Sequence, residues 1–219
     1  GGEHRREIVE QVVRDHRLGL VAGRVPGEQF RRLTGHVRPR HHRIVLASRP
    51  KGTVTPENFR LEQVPMPQPG PGEVLVRNHY LSLDPYMRGR MEETKGYAES
   101  QQLGETMIGT TVGVIETSNH PGFAAGETVL GMFGWAEYGL SDGTQLMKVD
   151  TRAVPMSAYL GAVGMPGVTA WYGLNRICRP KAGETVVVSA ASGAVGSVVG
   201  QLAKQAGCRA IGIAGGQEK

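Results

Sequence analysis

Cysteine is nearly missing from this 219-residue sequence, which holds only Cys178 and Cys208. Two cysteines cannot form a disulfide framework, and no CxxC pair exists. Such usage fits a reducing compartment and points to the cytoplasm. Long apolar runs are also missing: no stretch of about 18 apolar residues occurs, which excludes a transmembrane helix. No apolar core of a secretion signal is present near the N-terminus. Lysine does not occur in residues 1–43, although ten arginines do.

That asymmetry locates the charge. The formal net charge is +5, from 25 Lys and Arg against 20 Asp and Glu. Residues 1–43 carry all of it, with five acids (Glu3, Glu7, Glu10, Asp15, Glu28) among their arginines, while residues 44–219 are neutral. A basic arm for nucleic acid needs clustered cations without interleaved acids, and aromatics for stacking; Phe30 stands alone. A transit peptide is acid-poor and Ser-rich, and this segment has no Ser. His36, His41 and His42 have no Cys, Asp or Glu at ligand spacing. Glu7–Leu18 has the spacing of a short helix. Residues 1–43 therefore read as a basic, non-catalytic extension, with neither nucleic acid nor membrane as partner.

Glycine is abundant instead. The 32 glycines are about twice the usual ~7%, which implies tight turns and close backbone approaches. From Ile44 onward, short apolar runs alternate with Pro/Gly turns. Strands are expected over Arg43–Ala47, Phe59–Val64, Glu73–Leu83, Ile108–Glu116, Val129–Phe133, Ala136–Leu140 and Leu146–Val149, with loops over 50–56 and 92–106. This spacing predicts an antiparallel barrel or sandwich over 44–155. After it the texture changes. Ser157–Val163 and Val168–Arg176 have helical patterns, with Gly164–Gly167 (GMPG) expected to break them. An apolar strand, Glu184–Ala190, a glycine turn, a helix and a second strand, Arg209–Ala214, complete the start of an α/β domain over 156–219.

The glycine turn carries the first functional signal. Ala191-Ser192-Gly193-Ala194-Val195-Gly196 is a dinucleotide fingerprint with Ala in the first glycine position. Gly193 lets the backbone approach a pyrophosphate, and Gly196 lets the helix sit close to the strand. The N–H groups of the helix start face the anion. Val195, Val198, Val199, Leu202, Ala203 and Ala206 recur at helical spacing on one face, and Gly207 stands at the C-cap. Strand before, amphipathic helix after and a second strand beyond are the context that gives the motif weight.

The end of the second strand should distinguish the cofactors. An Asp or Glu there binds the ribose 2′-OH of NAD, and a cation suits the 2′-phosphate of NADP. No carboxylate stands at the strand tip, and Lys219 is available, although Glu218 opposes it. A charge-assisted contact of about 1.5–3 kcal/mol favours NADP by roughly ten- to hundredfold.

Taken together, LEQVPMPQPGPGEVLVRNHYLSLDPYMRGRM, GMPGVTAWYGL and AASGAVGSVVGQLAKQAGCRAIGIAGGQEK resemble the zinc-independent medium-chain dehydrogenase/reductases over residues 44–219. The nearest branch is that of the NADPH-dependent double-bond reductases. The resemblance implies a mainly β, GroES-like barrel followed by the first β-α-β unit of a Rossmann domain. It also implies reduction of an α,β-unsaturated ketone or aldehyde, by hydride transfer from NADPH to the β-carbon and protonation at the α-carbon. Gly193, Ala194, Val195 and Gly196 would then hold the pyrophosphate and Lys219 the 2′-phosphate. Met165 and Thr169 would lie along the nicotinamide, Tyr86 would face the enone, and the full-length form would be a homodimer.

Chemistry alone is consistent with this. Enone reduction needs a hydride donor at reacting distance, a hydrogen-bond donor at the developing enolate oxygen and a proton source; a Tyr hydroxyl can serve either of the last two. Asp84 is expected as a helix N-cap with Pro85 at the first helical position. Arg88 and Arg90 are expected as surface or loop-anchoring charges, Asn78 and Tyr80 as barrel-facing, and His79 and His120 as structural. With two separated cysteines no zinc site of the alcohol-dehydrogenase kind can be built. A dinucleotide fold uses two βαβαβ halves, and this sequence supplies one β-α-β. The expectation is a fragment that binds NADPH weakly and turns over negligibly by itself. A quinone reductase of the same superfamily and a non-catalytic nucleotide- or partner-binding protein are the alternative readings.

Overall fold

The computed structural model describes residues 23–24, 39–93 and 99–216. The helix expected over Glu7–Leu18 lies outside them, as do Glu218 and Lys219. The chain divides into two units, Gly1–Met156 and Ser157–Lys219.

The first unit is built from short antiparallel strands. In chain order these are β1 (Gly23–Arg24), β2 (Arg40–Leu46), β3 (Phe59–Pro65), β4 (Val74–Leu81), β5 (Thr111–Ser118), β6 (Thr128–Gly131), β7 (Tyr138–Ser141) and β8 (Met147–Lys148). One sheet runs β1-β4-β5-β6-β8, with β7 also paired to β4. One edge of β4 is shared, β7 lying along Val74–Arg77 and β1 along Tyr80–Leu81. The β2–β3 hairpin forms a second sheet. It is tied to the first unit's loops by bridges from Arg43 to Ala136 and from Val45 to Thr106.

Alternation of apolar and polar residues made β4 the clearest strand in the sequence, and it forms within two residues of its expected ends. Its facing pattern is less regular than strict alternation. Register shifts at Leu75/Val76 and Asn78/Tyr80 rotate the strand, and Val74, Leu75 and Val76 are all buried. Gly113 sits opposite the second shift, where an added Cβ would collide with the Arg77 carbonyl; glycine is required there by close backbone approach. Val74, Val76, Ile115 and Val129 make one core, and Ile44, Leu46, Phe59, Met87, Met91, Met107 and Trp135 a second.

Strand boundaries differ from expectation at β5, which spans Thr111–Ser118 rather than Ile108–Glu116, and at β2. β2 opens at Arg40 rather than Arg43, so residues 40–43, read from sequence as the end of the extension, belong to the sheet. The cause is pairing: Arg40 to Arg43 face Pro65 to Glu62 along the hairpin. His41 is buried there against the edge of the Tyr138 ring. The His42 N–H donates to Glu137 Oε2 at 2.7 Å. Among the described residues no group of three or more His, Cys, Asp or Glu is placed to hold a metal ion, and no helix is long and apolar enough to cross a membrane.

A short helix, α1 (Tyr86–Arg90), follows β4 in the first unit, and the second unit contains helix α2 (Met165–Tyr172), strand β9 (Thr185–Ser189), helix α3 (Ala194–Gln205) and strand β10 (Arg209–Ile213). The GMPG segment does not separate two helices. It starts α2, with Pro166 in the first turn, where its missing N–H is an orphan in any case. A 3-10 turn over Met156–Leu160 precedes it, and π-turns over Gly173–Cys178 follow. β9 and β10 pair in parallel, Arg209 beside Thr185 through Ile213 beside Ser189. The core under them is small: Leu174, Ala203 and Cys208, with Val186, Val199, Leu202 and Ala210 against it. Gly207 follows α3 at φ +77°, the left-handed position a helix C-terminus favours.

Candidate active site

The turn between β9 and α3 is assembled by the backbone. Ala190, at the end of β9, adopts φ +48°, a left-handed conformation unusual for a residue with a Cβ. This sharp bend lets the Gly193 N–H donate to the Ala190 carbonyl at 2.9 Å. Gly193 is the extended N-cap of α3 and contributes no side-chain cap. The first intrahelical bond runs from the Ser197 N–H to the Gly193 carbonyl at 2.9 Å. The N–H groups of Ala194, Val195 and Gly196 therefore stand ahead of the helical ladder, at the positive end of the helix dipole.

The two glycines differ in their surroundings. An added Cβ at Gly196 would strike the Ala190 carbonyl and lie 3.0 Å from Ala191 Cα, so Gly196 is needed for helix and strand to touch. A Cβ at Gly193 would meet one neighbour, Ala190 O at 3.1 Å, and otherwise open space. Gly193 thus keeps the approach to the backbone clear. This arrangement, with small residues and free N–H groups, fits a dinucleotide pyrophosphate.

Met165 and Thr169 lie one turn apart at the start of α2. The Thr169 hydroxyl donates to the Met165 carbonyl at 2.7 Å, and the Met165 side chain is 58% exposed. The rest of the helix start is closely packed: an added Cβ at Gly164 would strike the Tyr159 carbonyl, and one at Gly167 the Ala162 carbonyl.

In the first unit, LSLDPYMRGRM forms the end of β4, a turn and helix α1 (Tyr86–Arg90). Tyr86 opens the helix, half-buried against the core that holds Met87 and Trp135. Gly109 lets this turn pack, since a Cβ there would lie 2.7 Å from Leu81 Cδ1 and 3.1 Å from Met87 Cε. Asn78 is structural: its Nδ2 donates to the Ala136 carbonyl and its Oδ1 accepts from the Thr111 hydroxyl, both at 2.9 Å. Arg88 anchors loops, through Gly52 O at 2.9 Å and Glu92 at 2.8 Å. His120 organises its own turn, accepting the Gly122 N–H at 2.9 Å.

Asp84 departs from expectation. Pro85, not Asp84, occupies the N-cap of α1. The Asp84 carboxyl turns inward and accepts the Ser82 hydroxyl at 3.0 Å through Oδ1. Oδ2 is enclosed and has no partner among the described residues. Burial lifts its pKa above the usual carboxylate range, against the opposing pull of the Ser82 hydrogen bond. Nothing in the local sequence marks this, because burial is decided by the Leu81–Leu83 segment folding over the core. The left-handed Ala190 was equally invisible, since Ala is not a residue that announces a positive φ.

Comparison with known proteins places these features. The N-terminal domain of oxidoreductases matches residues 42–149. The NADPH-dependent curcumin reductase of Escherichia coli strain K12 is 50% identical over 185 residues, covering 84% of this chain and 54% of that protein. The NADP(+)-dependent 2-alkenal reductase of Nicotiana tabacum is 50% identical over 152 residues, covering 68% and 44%. The solved structure of CurA from Vibrio vulnificus in complex with NADPH superposes with a TM-score of 0.76 at 53% identity, over 81% of this chain and 52% of that one. The chain spans about half the length of the curated relatives it matches. By motif order, matched domain and identity, residues 44–219 belong to the N-terminal half of the zinc-independent medium-chain dehydrogenase/reductases, in the branch that holds the curcumin and 2-alkenal reductases.

Proposed function

We propose that the protein represented by this chain is an NADPH-dependent reductase of the C=C bond in α,β-unsaturated ketones and aldehydes. The observation that carries this reading is the β9–α3 turn, with its unladdered N–H groups at Ala194–Gly196 and its open face at Gly193. It stands in a chain half-identical to reductases named for NADPH. In the same reading β9-α3-β10 begins a Rossmann domain.

Each side chain has a defined task. The Ala194, Val195 and Gly196 N–H groups bind the pyrophosphate, and Lys219 meets the 2′-phosphate. Met165 and Thr169 line the nicotinamide side. NADPH, when bound, supplies the hydride that reaches the β-carbon. The Tyr86 hydroxyl donates to the carbonyl oxygen, where negative charge develops, and so lowers the barrier. A proton then joins the α-carbon. The 219 residues alone are proposed to bind NADPH weakly and to turn over negligibly, so the activity belongs to a protein of the relatives' length.

The test is to join this chain to the C-terminal half of the E. coli curcumin reductase and follow NADPH oxidation with a panel of enones and quinones. Enone-dependent oxidation that Tyr86→Phe lowers by about 10²-fold or more supports the reading. Turnover confined to quinones, or NADH used as well as NADPH, overturns it.

A further inference from the structure

We propose that Asp84 is a positioning residue for Tyr86: its buried carboxyl seats the turn that presents the tyrosine while protonated, and enone reduction falls when it ionises. The proposal rests on the enone reading of Tyr86 and adds regulation by pH to that site.

The turn is held from both ends. Before it, the Ser82 N–H donates to the Thr110 carbonyl at 2.9 Å. After it, Met87 is 1% exposed and belongs to the core that holds Phe59, Met107 and Trp135. Asp84 stands between, 8% exposed, and its own carbonyl accepts the Met87 N–H at 3.1 Å. Only Pro85 separates Asp84 from Tyr86. The proline ring fixes its φ, here −55°, and restricts the residue before it as well. A displacement of Asp84 is therefore passed on to Tyr86 rather than absorbed between them.

Protonation decides whether Asp84 stays in place. Its Oδ1 accepts the Ser82 hydroxyl at 3.0 Å, a bond that both the acid and the carboxylate can accept. A buried carboxylate needs further donors or water. The core that α1 packs on offers apolar side chains instead: Leu46 from β2, Phe59 from β3, Met107 before β5 and Trp135 after β6. The titratable groups of the adjoining elements are Tyr86 itself, Arg88 and Arg90 on α1, and His79 and Tyr80 on β4. Arg88 is committed to Glu92 and to the Gly52 carbonyl. The raised pKa of Asp84 arises from burial, opposed by the Ser82 hydrogen bond, and not from a neighbouring charge. Ionisation turns the carboxyl toward water, and the turn that carries Tyr86 moves with it.

The test follows the Tyr86 ring signals by NMR in the 219-residue chain, assigned with Tyr86→Phe, as pH is raised. They should shift with a midpoint above the ordinary Asp value of about 3.9, and Asp84→Asn should abolish that transition. Ser82→Ala removes a bond that favours the carboxylate, so the midpoint should rise by about one pH unit. This second variant decides the matter if Asp84→Asn does not fold. In the chain joined to the C-terminal half of the E. coli curcumin reductase, kcat for 4-phenylbut-3-en-2-one should fall about tenfold or more through the same midpoint. That fall should respond to both substitutions as the ring signals do. Ring signals that do not follow Asp84, a midpoint unmoved or lowered in Ser82→Ala, or a fall in kcat that survives Asp84→Asn overturns the proposal and leaves the enone reading standing. Absence of enone-dependent NADPH oxidation at every pH overturns the enone reading, and the proposal with it.

Discussion

The two units bury their strands to very different degrees. In the first, Val74, Val76, Val112 and Val129 are fully buried, and each sheet closes over a core of its own. In the second, Val187 and Ile213 on the paired strands are 59% and 58% exposed, and Val168 and Ile177 are more exposed still. Antiparallel sheets tolerate one solvated face, whereas parallel strands are normally covered on both. The first unit therefore satisfies its own strands among the described residues, and the second does not. The proposed roles divide the same way: side chains at α1 in one, backbone N–H groups at α3 in the other.

Truncation should reveal the contrast most strongly. Leu46→Ala, at a fully buried site, is expected to cost about 2–5 kcal/mol, whereas Ile213→Ala should stay within about 0.5 kcal/mol. Urea unfolding monitored separately in each unit measures both, and equal losses would break the comparison. Next in size is Gly196→Val. Its side chain cannot fit against Ala190, so NADPH affinity should fall at least about tenfold, near 1.4 kcal/mol, while the unfolding midpoint of the first unit stays fixed. Titration calorimetry and unit-resolved unfolding distinguish these outcomes.

Asp84 sharpens the comparison through pH. Its folded-state pKa is raised by burial, so folding favours the protonated form. That contribution is complete below the unfolded-state value, about 3.9, and is lost as pH rises through the folded value. Stability of Asp84→Asn relative to wild type should therefore rise with pH and then level off, and the change should be confined to the first unit. A flat difference would show that Asp84 is ionised in the fold. Ala190→Gly is the smallest effect. It relieves a left-handed φ and should stabilise the second unit by no more than about 1 kcal/mol.

Much of the first unit was legible because alternation and Pro/Gly punctuation report a pleated strand directly. β3 and β4 formed within two residues of expectation, and the close helix–strand approach at Gly196 lies where the spacing put it. What the sequence concealed depends on distant contacts. β2 gained residues 40–42 by pairing with β3. The π-turns over Gly173–Cys178 overlap the end of the helix expected over Val168–Arg176, where the sequence does not distinguish the two windings. Asp84 looked like a cap because Asp-Pro usually starts a helix, and the fold placed it inside instead.

Deuterium transfer tests the central claim most directly. The chain joined to the C-terminal half of the E. coli curcumin reductase is supplied with NADPH deuterated at the transferring position and 4-phenylbut-3-en-2-one. The account predicts a saturated ketone with deuterium on the β-carbon and hydrogen from solvent on the α-carbon. An allylic alcohol with deuterium on the former carbonyl carbon would contradict it.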